Sequence, residues 1–153
     1  MREHIKPVVF ALGLCLLPGV SMAQELDGAD TAWIMTSIAL VLFMTVPGLS
    51  LFYGGLVRVR NVLSVLMQCF AITCVASVVW LVCGYSLAFG EGNAFIGDFS
   101  NVLFANIQEE TVSGSIPESV FALFQMTFAI ITPALIFGGF AERVKFGAVM
   151  LFS

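Results

Sequence analysis

From residue 33 to residue 53 the chain carries no Asp, Glu, Lys or Arg, and two further runs, 62–89 and 120–140, share that property. At about 1.5 Å per helical residue the first run covers about 31 Å, the hydrocarbon thickness of a bilayer. No water is available there to satisfy backbone N–H and C=O groups, so such runs must close their own hydrogen bonds as helices. Composition excludes the alternative. A soluble domain is about one quarter charged, whereas this chain is 10% charged and 59% hydrophobic and could not cover its own surface. The expectation is an all-α integral membrane protein with spans at about 33–55, 62–89 and 120–140. A truncated span is expected to open at about 146, in GAVMLFS. The second run exceeds a bilayer's need, which predicts tilt or overhang. Pro47-Gly48 should kink the first span and free a carbonyl for a neighbouring helix to satisfy.

The charges sort by connection. Arg58 and Arg60 lie between the first two spans, and Arg143 and Lys145 follow the third. Asp27, Asp30, Glu91, Asp98, Glu109, Glu110 and Glu118 occupy the other connections, which hold no Lys or Arg. Basic loops stay in the cytoplasm, so the acidic connections face outward. The N-terminus argues the same way. Arg2 and Lys6 precede a short apolar stretch, then Pro18-Gly19 and the small-x-small triplet ending at Ala23. This pattern reads as a signal peptide over 1–23, leaving a mature N-terminus in the periplasm and a multi-pass protein in the cell inner membrane. An uncleaved anchor is the rival reading. Cleavage would remove His4, the single histidine, and histidine chemistry with it.

Other function classes fall away. Six Lys and Arg residues form no patch for nucleic acid. Cys69, Cys74 and Cys83 share one apolar run without a Cys-x-x-Cys pattern or a histidine companion, so they read as small apolar fillers and imply no metal. No Asp, Glu, Lys or Arg lies within a span core, where such groups usually mark an ion route. What remains is hydroxyl and amide groups, whose default use is bonding between helices. Within the third run stands FQMTF, Phe124 to Phe128, two phenylalanines one turn apart with an amide between them. Such pairs ordinarily pack against lipid or a neighbouring helix.

Three stretches are more specific: LVLFMTVPGLSLFYGGLVRVRNVLS, WLVCGYSLAFGEGN and FQMTFAIITPALIFGGFAERVKF. In this order and spacing they closely resemble the ammonium transporter family, especially its bacterial members, from about Asp30 onward. The resemblance implies the first half of an eleven-span inverted-repeat fold, usually trimeric, with a pore in each subunit. It implies uptake of ammonium or ammonia, with methylammonium as an analogue, and neither enzymatic chemistry nor a cofactor. It also places the family's paired pore histidines, entrance tryptophan and essential aspartate beyond Ser153, so the chain reads as an N-terminal fragment. An ammonium sensor of the same fold, or an inactive truncated product, are the alternatives.

By position, Phe124 matches the family's aromatic at the external vestibule and Phe128 one of two stacked rings that gate the pore. Gln125 matches the family's supporting glutamine. It lies about 100° from Phe124 around the helix and is expected to bond a neighbouring helix. Where the family often has small residues next, this chain has Met126 and Thr127. Membrane lipid, and a PII-type signalling protein at the cytoplasmic face, are the further partners implied.

Overall fold

The computed structural model describes residues 25–93, 95–108 and 110–153; the leader expected at 1–23 lies outside the described residues. Helix α1 (Gly28–Leu56) begins where a side chain can satisfy its first N–H groups. The Asp27 carboxylate accepts from the Ala29 N–H at 2.7 Å and the Asp30 N–H at 3.3 Å, an N-cap. This cap moves the helix start ahead of Trp33, because hydropathy registers the apolar run but not the polar turn that initiates it. Within α1, Met44–Leu49 winds as a π-helix around Pro47. The wider turn steps past the hydrogen bond that proline cannot donate. Just past the proline, the Ser50 hydroxyl bonds the carbonyls of Val46 and Pro47.

Helix α2 (Val59–Phe89) opens with a 3-10 turn and contains a second π-helical segment at Trp80–Gly84. A connection follows in which Val112–Ser113 (β1) pairs antiparallel with Ile116–Pro117 (β2) across Gly114, whose φ is +68°. This ribbon is a small addition to an otherwise helical architecture. Helix α3 (Glu118–Gly138) and the short α4 (Phe146–Phe152) complete the described chain. Among the described residues, three helices, α1, α2 and α3, are long and apolar enough to cross a membrane.

The first part of α1 packs on α3, its last part packs on α2, and α2 packs along α3 and on α4. At one end the Asp27 N–H donates to the Ser115 carbonyl at 2.9 Å, tying the start of α1 to the turn before α3. At the other end Asn61 and the Arg58 N–H both reach Glu142. Thus α1 and α3 run in parallel, α2 runs against them, and both basic connections meet at one end of the bundle.

The buried core lies toward that end: Val65, Cys69 and Ile72 from α2, Ala134 and Phe137 from α3, and Val149 from α4. Tyr53 closes it from α1. Its hydroxyl donates to the Leu135 carbonyl at 3.0 Å. That acceptor is open because the Gly139 N–H turns to Ile136, at 3.1 Å, as α3 tightens at its end. Gly138 is required here, since a Cβ would enter the Tyr53 ring. Leu40, Phe43, Phe52, Leu63 and Phe70 point away from this core and are exposed, the surface that acyl chains would solvate.

Candidate functional site

At the end of the bundle opposite the basic connections the sequence builds an aromatic cluster. Trp80 and Tyr85 are five residues apart, a spacing that would place them on different faces of an α-helix. The π-helical segment corrects this, with the Tyr85 N–H bonding the Trp80 carbonyl, the i to i+5 pattern of that helix. The indole then lies 6.0 Å from Tyr85 and 6.3 Å from Phe89, in edge contacts. Phe104 meets Tyr85 at 5.2 Å and Phe121 meets Phe89 at 5.2 Å. Edge contacts of this kind place positive ring rims against negative faces. Polar tips are satisfied as well. Trp80 Nε1 donates to the Ala122 carbonyl at 3.2 Å, and the Tyr85 hydroxyl donates to Glu118 Oε1 at 2.7 Å. Glu118 sits in the first turn of α3, where a carboxylate complements the helix dipole.

Just below this cluster lie the FQMTF residues. Phe124 and Phe128 are in edge-to-face contact, centroids 5.1 Å apart and planes at 87°, as expected for aromatic side chains one turn apart. Thr127 is buried and its hydroxyl donates to the Phe124 carbonyl at 2.7 Å, while the Thr132 hydroxyl donates to the Phe128 carbonyl at 2.8 Å. Ala122, Thr127, Ile130, Ile131, Ala134 and Phe137 form the buried side of α3. Phe128 and Thr132 lie on the opposite side, and Phe128 is 45% exposed. Phe124 and Gln125 flank Phe128 around the helix and are half-buried.

The structure therefore brings the three candidate residues onto one strip of α3 that is turned away from the α1–α2 packing. It does not join Gln125 to a neighbour: among the described residues, the amide makes no hydrogen bond to another helix. The strip that carries Gln125 faces away from both packed helices. The spacing of Trp80, Tyr85 and Phe89 was the available signal for the aromatic cluster above the strip. An α-helical reading of that spacing hides it.

Chemically, the strip offers ring faces and rims, one amide and no charge. Rings attract a small cation through their quadrupole, and the amide can both donate and accept. No grouping of three or more His, Cys, Asp or Glu that could hold a metal ion occurs among the described residues.

Comparison with known proteins bears on the fold and the family. The model of the Ammonium Transporter Family matches residues 32–153. The ammonium transporter of Bacillus subtilis (strain 168) is 46% identical over 126 residues, covering 81% of this chain and 31% of that protein. An ammonium transporter of Mycobacterium tuberculosis (strain H37Rv) is 44% identical over 146 residues, covering 83% and 30%. Among solved structures, Candida albicans Mep2 aligns with a TM-score of 0.72 at 32% identity, over 87% of this chain and 30% of that one. Saccharomyces cerevisiae Mep2 gives 0.71 at 35% identity, over 85% and 31%. The chain thus spans about 30% of the length of these relatives. With the motif order, the helical bundle and the family match in agreement, this chain belongs to the ammonium transporter family.

Proposed function

We propose that this chain supplies the outer entrance and first gate of a pathway that takes up ammonium or ammonia across the inner membrane. The observation that carries this reading is the Phe124–Phe128 pair, in edge-to-face contact on the strip of α3 turned away from α1 and α2. In a longer protein that strip is the surface on which a second half can close a pore. Phe124 meets the solute first. Its ring face draws a cation and offsets part of the hydration lost on entry. Phe128 lies one turn further inward and blocks the path until its ring moves. Gln125, with an unengaged amide beside both rings, offers the polar contact that rings lack.

Supporting the direction of passage, both basic connections stand at one end and the acidic outer connection at the other. With the basic end cytoplasmic, the mature N-terminus is periplasmic and Phe124 precedes Phe128 on an inward route. A reporter fused after Glu109 should be active only on the periplasmic side. A homotrimer, and a PII-type protein docking on the cytoplasmic face, belong to the same reading.

The test grafts residues 32–153 onto the Bacillus subtilis relative in place of its matching segment. The chimera should take up methylammonium, and Phe128→Ala in it should change uptake or selectivity by about tenfold, the scale of one gating contact. Unchanged uptake and selectivity in that variant would remove Phe128 from the gate.

A further inference from the structure

The strip that carries Phe128 is headed by a carboxylate. Glu118, Phe121, Gln125 and Phe128 fall at i, i+3, i+7 and i+10 of α3, within about 80° of arc at 100° per residue. Glu118, Phe121 and Gln125 are half-buried and Phe128 is exposed. From its first turn, α3 therefore presents a carboxylate, a ring, an amide and a second ring along one stripe.

One oxygen of Glu118 is committed and the other is not. Oε1 accepts from the Tyr85 hydroxyl at 2.7 Å. Tyr85 is 2% exposed and is walled by the rings of Trp80, Phe89 and Phe104, so the phenol is a fixed post. Among the described residues, Oε2 accepts no hydrogen bond. Nor does the chain supply a counter-charge nearby in sequence, since Asn61 to Glu142 contains no Lys, Arg or His. The dipole of α3 complements part of the negative charge, and aromatic walls shield that charge less than water would.

The donor set selects its ligand. A calcium ion takes about six to eight oxygens, more than this carboxylate offers, and no metal-binding group of three occurs among the described residues. One open carboxylate oxygen above rings and an amide suits a single positive charge that carries N–H donors. Resting on the uptake reading above, we infer that Glu118 is the recruiting carboxylate of the entrance. Its Oε2 takes a primary ammonium group, of ammonium or methylammonium, and delivers it to Phe124 and Gln125. Tyr85 is a positioning residue that holds the carboxylate over the stripe.

The full chain purified in detergent tests binding. Trp33→Phe leaves Trp80 as the single indole, 6.0 Å from Tyr85, and its emission should respond to methylammonium chloride at low ionic strength. Glu118→Gln keeps an acceptor for Tyr85 and should raise the half-saturating concentration about fivefold, the scale of one exposed ion pair. Glu118→Asp should restore most of the affinity, and Tyr85→Phe should lie between. No response in the parent chain, an equal response to sodium chloride, or equal midpoints with and without Glu118→Gln would each overturn the assignment.

In the chimera with the Bacillus subtilis relative, Glu118→Gln should raise KM for methylammonium and leave kcat unchanged. High salt should erase the difference by screening. A fall in kcat at constant KM would reduce Glu118 to a structural residue. Phe128→Ala separates this inference from the uptake reading. A silent Phe128→Ala beside a raised KM in Glu118→Gln removes the gate and keeps the recruiting carboxylate. A responsive Phe128→Ala beside an unmoved KM sinks the recruiting role alone.

Discussion

Phe128 and Phe137 are the same residue type on the same helix, yet they stand in opposite environments. Phe137 is 1% exposed and is held edge-on by Tyr53 at 6.5 Å and Phe140 at 6.0 Å. Phe128 is 45% exposed, and its aromatic contact is Phe124. The C-terminal end of α3 is built for packing, with a glycine cut to fit a ring and a carbonyl matched to a phenol. The stretch around Phe128 leaves its rings free to meet something else. One helix thus divides its work by height, and residue type alone does not reveal the division.

The comparison is broken most directly at its packed end. Phe137→Ala should lower the stability of the purified chain by on the order of 3 kcal/mol, seen as an earlier unfolding transition in detergent. Phe128→Ala should leave that transition nearly unmoved, and similar losses from both variants would erase the distinction. Next in size is Gly138→Ala. Its Cβ meets the Tyr53 ring, so overpacking should cost about 2 kcal/mol, whereas Ala at the open Gly147 position should cost far less. Tyr53→Phe keeps the ring and removes the bond to Leu135, with an expected loss of about 1 kcal/mol. Retained stability there would mean that shape alone holds this end together.

The smallest effect is a pH dependence. The hydrogen bond from Asn61 holds the Glu142 carboxyl below its ordinary value, assisted by the Arg58 N–H and by the charges of Arg58 and Arg60. A carboxylate depressed in the folded state contributes stability that is complete above its unfolded value. That contribution fades as pH falls through the folded one. Acidification should therefore loosen the joint between the two basic connections before it affects Phe137. Hydrogen exchange at Asn61 and Arg143 should rise first, and Glu142→Gln should abolish the dependence.

Much of this was legible in the sequence. Uncharged runs mark the three crossings, because lipid forbids unpaired charge, and the separation of basic from acidic loops marks the two ends. The contact between Phe124 and Phe128 follows from a spacing of one turn. Other features depend on partners that no local pattern names. Asp27 starts α1 ahead of its apolar run. Tyr53 and Gly138 fit each other across two helices, although they are far apart in the chain. The π-helical segment at Trp80–Gly84 contains no proline to announce it, and it decides which aromatic residues share a face. Gln125 shows the converse: its amide suggested a bond, but its place on α3 turns it away from the helices among the described residues.

The indole of Trp80 grips the backbone of α3 at Ala122, close above Phe124. Like the pin of a vernier, it fixes how far one rod has slid along the other. A slip of a single residue would swing every benzyl group on α3 by about 100°, aiming Phe128 into the bundle and presenting aliphatic side chains in its stead. The tryptophan need not touch any solute to determine what a solute would encounter.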